Sequence, residues 1–277
     1  MILGSPLSAA EAMVVDASVI PRYLGFFGAA AAEMLIRYSP AYIADIGCRT
    51  GYLHPLVAER LPGATIVGVD SSPYAIELAR GRTATLALSN VNLTLELAER
   101  LPLPLPDASF THGLLVHPVI TAQARYALLA ELRRILVMGG QALIALPVRG
   151  SFPEIYDMLR EYALRQDLAD FGKAVEVAAA SRPTIESLSE ELEKVGLGEV
   201  DVDVQLVGVS FGSGREFLED PIAQLIVFPD TRAFLEAEPE AIDAAFRYVH
   251  DAITKYWSEG SFELTVNVGC ASGRRFE

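Results

Sequence analysis

Two aspartates sit at the ends of short apolar runs, Asp45 within Tyr42 to Ile46 and Asp70 after Thr65 to Val69. A turn bracketed by Gly47 and Gly51, with Cys48 and Arg49 between them, follows the first. A carboxylate at a strand end can accept hydrogen bonds from sugar hydroxyls or face a cation. A glycine turn lets the backbone approach a ligand closely. Two such ends side by side describe a nucleotide-type pocket at the carboxyl edge of a parallel sheet.

The ligand's charge narrows the choice. A dinucleotide site wants Gly-x-Gly-x-x-Gly, so that a pyrophosphate can rest on a helix N-terminus. The corresponding residues are Gly47, Arg49 and Tyr52, and two of the three fail. Asp45 would also repel a pyrophosphate. A sulfonium and an ammonium group suit that acid better, which favours S-adenosylmethionine over a nicotinamide cofactor. A third run, Phe110 to Val116, ends at His117. His117 is a candidate general base for a nucleophile at this edge; the alternative is that it lines the pocket or caps the loop before Pro118. His112 reads as structural and His250 as a surface residue; His54 follows the glycine turn and could approach the cofactor, though a first-turn helix position is the simpler explanation.

The elements that must hold these groups alternate. Strands are expected at 42–46, 65–69, 91–95, 110–116 and 142–147. Helices are expected at 51–60, 73–80 and 121–136, the last stopped by Gly139-Gly140. Pro73 suits a first helical turn with Ser71 or Ser72 as its cap. Residues 1–10 read as a loose arm, and 12–38 as helix broken by Pro21. Tyr23, Phe26 and Phe27 read chiefly as packing. Helical insertions are expected at 150–180 and 212–260, with a helix from Thr184 to Gly196 between them. The strand 199–209 alternates, and so does 262–268, as an antiparallel last strand does.

Composition sets the outer bounds. The chain has 277 residues, is 51% apolar, and carries a net charge of -14. Such acidity disfavours nucleic-acid partners. The two cysteines, Cys48 and Cys270, have no metal-ligand spacing, so no metal is expected. The longest uncharged stretch, 108–124 apart from its own polar residues, reads as strand plus loop, so no membrane span is expected. The N-terminus lacks a basic leader pattern, and a cytoplasmic location is the expectation.

Four segments in order resemble class I S-adenosylmethionine-dependent methyltransferases of the small-molecule type. Asp45-Ile-Gly-Cys-Arg-Thr-Gly51 is similar to the first motif, Asp-x-Gly-x-Gly-x-Gly. Val67 to Ala79 resembles the second. Ala98 to Leu103, with Pro106 to Phe110, resembles the stretch before the fourth strand, and Leu128 to Ile144 the helix and strand after it. The match covers roughly 40–147 and weakens through 184–204. The resemblance implies an α/β fold, a doubly wound Rossmann-like seven-stranded sheet, mostly parallel with an antiparallel last strand. It also implies a single domain over 1–277, with an N-terminal helical region at 1–40 and helical insertions at 150–183 and 212–260 capping the carboxyl edge. Asp45 and the turn Gly47, Cys48, Arg49 and Gly51 would face the methionine part of the cofactor. Asp70 would bind the ribose, Ser71 would run along the adenine, and Ala98 and Glu99 would line its pocket. Val116 and His117 would lie beneath the transferable methyl, with a small-molecule acceptor beyond. Three residues depart from the pattern: Arg49 replaces the middle glycine, Leu97 an adenine-binding Asp, and Thr111 an Asp after the strand-four Phe. These departures carry a second reading, a degenerate relative that binds or interacts without catalysing.

Overall fold

The computed structural model describes residues 6–85, 92–97, 100–118 and 121–276, with the backbone alone for 83–85 and 92–97. In chain order the elements are α1 (Ala9–Val14), a π-helical segment (Val15–Leu24), α2 (Gly25–Glu33), β1 (Tyr42–Ile46), α3 (His54–Arg60), β2 (Thr65–Asp70), α4 (Pro73–Thr85) and β3 (Asn92–Leu97). There follow β4 (Phe110–Val116), α5 (Ala122–Ile135), β5 (Leu136–Pro147), α6 (Pro153–Arg165), α7 (Ala169–Ala180), α8 (Ile185–Lys194) and β6 (Leu197–Phe211). The chain ends with α9 (Gly214–Glu219), a second π-helical segment (Ala223–Val227), α10 (Phe228–Ala233), α11 (Pro239–Tyr256) and β7 (Phe262–Arg275).

The strands lie in the order β3-β2-β1-β4-β5-β7-β6. The sheet is mostly parallel: β1 pairs parallel with β2 and β4, β2 with β3, and β4 with β5. Connections from β1 step to one side through β2 and β3, and β4 starts the other side. The crevice beyond the carboxyl end of β1 is therefore the topological switch point, where ligands bind in open α/β sheets. Two compact units divide the chain, one of Met1–Leu146, Ile185–Val204 and Val268–Glu277, the other of Pro147–Thr184 and Gln205–Asn267.

The first unit holds every candidate cofactor residue. Ile43, Ala44, Ile46, Ile66, Val69, Leu114, Leu115, Leu143 and Ile144 are buried, the near-continuous apolar runs of a sheet covered on both faces. One face of α5 is buried through Leu128, Leu129, Leu132 and Ile135. Its end differs from expectation. Gly139-Gly140 does not stop the helix: Leu136 is already extended, and both glycines lie inside β5. There the pairing slips, Phe110 facing Leu136 and His112 facing Gln141. Gly139, at φ +76, supplies the left-handed residue that this bulge needs.

The N-terminus also differs. The expected loose arm gives way at Ser8, whose side chain and Glu11 form a reciprocal capping box on α1. Pro21 does not break the helix, because it falls inside the π-helical turn, whose wider ring tolerates a local irregularity. Ser72, not Ser71, caps α4, its Oγ accepting the Ala75 N–H at 3.3 Å.

A buried polar seam fixes the run into β1. His112 Nε2 lies 3.0 Å from the Ile36 carbonyl, and Gln141 takes the Ile36 N–H at 3.0 Å and donates to Met34 O at 2.8 Å. Burial pushes the His112 pKa down, and its bond to the Ile36 carbonyl opposes that. The Thr111 hydroxyl donates to the Tyr42 carbonyl and accepts the Tyr42 N–H, both at 2.9 Å, and also lies 2.9 Å from His112 Nδ1. Thr111 therefore has a structural task at the start of β1. Thr111→Val should cost about 1–3 kcal/mol by stranding the Tyr42 N–H and carbonyl, a loss that urea denaturation will show.

The second unit has its own core. Phe217 stacks on Phe262 at 4.4 Å between centroids and meets Phe211 and Phe228 edge-on, and Tyr162 meets Phe171. The aromatic residues of the insertions thus pack on one another. At its centre Arg182 donates to Asp230 at 2.7 Å, with side chains 4% and 2% exposed. Among the described residues no helix is long and apolar enough to cross a membrane.

Candidate active site

The turn after β1 is tied to β2 before any side chain is considered. Gly47 and Cys48 both donate their N–H to the Val69 carbonyl, at 2.7 and 3.0 Å, and Gly51 closes the turn onto Cys48 O at 2.9 Å. Gly47 and Gly51 have φ +73 and +71, which an L side chain resists. A Cβ on Gly47 would meet no atom of the described residues within 4 Å, so open space lies beside this backbone. A Cβ on Gly51 would instead strike His54 Nδ1 at 2.7 Å.

Arg49 holds the third left-handed position, φ 47. The family glycine there is needed for its backbone, and Arg49 adopts that backbone at a strain of about 1–2 kcal/mol. The turn keeps its shape. Arg49 donates its main-chain N–H to Asp70 Oδ2 at 2.9 Å, and Ser72 donates its own to Oδ1 at 2.8 Å. Asp70 is thus aimed by two backbone donors. Burial raises its pKa, and the positive charge of Arg49 opposes that rise.

Asp45 is 1% exposed, and neither carboxylate oxygen makes a hydrogen bond to the described residues. A close polar neighbour is His54 Nε2 at 3.2 Å, also 1% exposed and making no hydrogen bond to the described residues. Cys48 is buried; burial first, then Asp45 and Asp70, push its thiol well above the usual range, so it is inert. Ser71 and Val116 are buried beside Asp70 and His117 respectively in sequence. Ala98 and Glu99 lie outside the described residues. Among the described residues no group of His, Cys, Asp or Glu has the makings of a metal site.

His117 ends β4 with φ 54 and is 1% exposed. Its Nε2 lies 3.0 Å from Tyr23 Oη, and the rings of Tyr23 and Phe27 meet it edge-on at 5.2 and 4.7 Å. Sequence reasoning treats Tyr23 as packing and misses this bond. No local pattern announces it, because 94 positions separate the two residues. Asp16 is a second omission: it accepts from Thr50 Oγ1 in the turn at 2.5 Å and from Arg82 on α4. Gly28 brings α2 onto the same turn, since a Cβ there would lie 2.7 Å from Leu53. His54 is where a first-turn residue should be, but its pairing with Asp45 was not foreseen. His250 is 62% exposed and plays no part.

The donor set fits an adenosyl cofactor. A bare buried carboxylate suits an ammonium or sulfonium, Gly47 leaves room, and Asp70 presents an oriented acceptor. The departures with described side chains, Arg49 and Thr111, are absorbed by the turn and by β1, and neither supports loss of catalysis.

Comparison with known proteins agrees. Residues 43–140 match the family model described as a methyltransferase domain. A trans-aconitate 2-methyltransferase from Methylobacterium nodulans is 32% identical over 163 residues, covering 58% of this chain and 58% of that protein. The chain thus spans a little over half the length of the curated relatives it matches first. Among solved structures, the YcgJ protein of Bacillus subtilis superposes with TM-score 0.54 at 16% identity, over 92% of this chain and 98% of that one. A phosphoethanolamine N-methyltransferase from Haemonchus contortus, in complex with S-adenosyl-L-methionine, gives 0.51 at 15% identity over 90% and 52%. The structural matches establish the α/β Rossmann-like methyltransferase fold. Over residues 43–140 the chain is similar to the methyltransferase domain, and its sequence relatives and structural neighbours include methyltransferases.

Proposed function

We propose that the protein transfers a methyl group from S-adenosylmethionine to a small-molecule acceptor. The observation that carries this reading is the conjunction at the switch point of the bare Asp45 carboxylate, the open Gly47 and the oriented Asp70. Asp70 would hold the ribose hydroxyls, and Asp45 would face the cationic methionine end. Gly47, Cys48, Arg49 and Gly51 would give the backbone cradle, with Ser71 and Glu99 toward the adenine. The cofactor supplies its methyl already activated on sulfur. The protein's task is then positioning and exclusion of water.

His117 is our choice of base for an acceptor hydroxyl or carboxyl proton. Tyr23 Oη orients its ring, and Phe27 keeps water away. The helical stretches 150–183 and 212–260 are our candidates for acceptor selection. Titration calorimetry with S-adenosylmethionine and S-adenosylhomocysteine tests the cofactor: no heat and no thermal shift with either at millimolar ligand would sink the reading. A panel of small carboxylic acids, starting with trans-aconitate, and of phenols, with methyl-labelled cofactor, tests the chemistry. With any acceptor found, His117→Gln should lower kcat about 100-fold or more, and Tyr23→Phe should lower it less while shifting the pH profile.

A further inference from the structure

We propose that Tyr52 is a cofactor-binding residue: its hydroxyl donates to the carboxylate at the amino-acid end of an adenosyl ligand, while Asp45 faces the ammonium on the same carbon. This rests on the reading that Asp45 faces the cofactor's cationic end. Three observations support it. First, Tyr52 follows Gly51 at the end of the turn and is 7% exposed, yet its Oη, shielded from solvent, makes no hydrogen bond to the described residues. A buried hydroxyl without a partner is costly, and buried tyrosines usually find one. Second, the ring has little freedom to swing. A Cβ on Gly28 would meet Tyr52 Cε2 at 3.0 Å, so α2 lies against the edge of the ring. Third, the hydroxyl shares its surroundings with Asp45. After burial, the charge of Asp45 raises the pKa of the phenol further, and Arg49 opposes the rise. The group is therefore a neutral donor at physiological pH. The other buried side chains of β1 and this turn that make no hydrogen bond to the described residues are Asp45 and His54, which face each other at 3.2 Å.

The amino-acid end of the ligand is a zwitterion. Its ammonium and carboxylate hang from one carbon, so a site that takes the ammonium on Asp45 must receive the carboxylate close by. Asp45 repels that carboxylate. A neutral O–H donor offsets the repulsion without competing with the ammonium for Asp45, as a cationic side chain at position 52 would. A hydrogen bond from the hydroxyl to a carboxylate is charge-assisted, so its loss should weaken binding by about 10–100-fold. In the ligand-free protein the unpartnered hydroxyl costs its desolvation and returns nothing. Its removal should therefore weaken ligand binding without weakening the fold, a combination that a merely structural tyrosine does not give.

Titration calorimetry of the full chain tests this, with S-adenosylhomocysteine and with its decarboxylated analogue, which keeps the adenosyl thioether and the amine. Tyr52→Phe should bind S-adenosylhomocysteine about 10–100-fold more weakly than the unmodified protein does, and the decarboxylated analogue with affinity unchanged to within about twofold. Melting curves without ligand should show the variant as stable as the unmodified protein or more so. Unchanged affinity for S-adenosylhomocysteine, an equal loss for both ligands, or a variant that melts well below the unmodified protein would overturn the proposal alone. Absence of S-adenosylhomocysteine binding by the unmodified protein at millimolar ligand would overturn the cofactor reading, and this proposal with it.

Discussion

Asp70→Ala should abolish measurable adenosyl-ligand binding, while Arg49→Gly should leave it intact or tighten it. Two ribose hydroxyls donating to a charged acceptor are worth about 1.5–3 kcal/mol each, so their loss weakens binding by at least about 100-fold. Alanine also strands the N–H groups of Arg49 and Ser72, which Asp70 accepts at 2.9 and 2.8 Å. The contact from Arg49 is made by its main chain and survives in glycine. Glycine further relieves the left-handed strain at φ 47, offset by its greater freedom in the unfolded chain, so stability should change by less than about 1 kcal/mol. Calorimetry and melting curves on both variants decide the matter. Unchanged affinity in Asp70→Ala would remove the ribose assignment. A large loss in Arg49→Gly would make the guanidinium a working contact.

Asp70 also carries a pH signature in the ligand-free protein. Burial raises its pKa from the ordinary 3.8. Between the unfolded and the folded values the native state holds a proton that the unfolded chain has lost. Stability from this group is therefore present below the unfolded pKa and falls as pH rises through the folded one. The melting deficit of Asp70→Ala should accordingly shrink from acid toward neutral pH.

The second large effect is expected in the other unit. Asp230→Ala should destabilise it by about 3–5 kcal/mol, because the buried Arg182 guanidinium loses its carboxylate. The guanidinium also lies 4.8 Å from the Phe152 ring and 5.5 Å from that of Phe234. Burial raises the Asp230 pKa, and Arg182 opposes it, as in a pair whose desolvation is only partly offset. The double variant Arg182→Met with Asp230→Leu should therefore lose much less than the sum of the single changes. Guanidinium denaturation of the four proteins closes the cycle. Additive losses would mean that the two charges act independently.

The sequence shows the central strands plainly, because β1, β2 and β4 are apolar runs, two of them marked by an acid. It shows α5 through a stripe of buried leucines. It conceals features that depend on distant partners or on irregular backbone. Gly139-Gly140 looks like a helix stop, yet the stop is Leu136 and the glycines serve a bulge set by pairing with β4. Pro21 looks like a break, and a π-helical turn absorbs it. Arg49 looks like a defect in the glycine motif until its φ and its main-chain bond to Asp70 are seen. The Arg182–Asp230 pair joins residues 48 positions apart and leaves no periodic trace.

The N-terminal segment, finally, has a consequence for how the protein is made. Asp16 finds its partners 34 and 66 residues later in the chain, at Thr50 and Arg82, and Tyr23 finds His117 after 94. This stretch is made before its partners, and so is among the last to reach its native contacts. Asp16 lacks its donors until the turn after β1 and then α4 have been made, and the aromatic enclosure of His117 closes only after β4 has emerged.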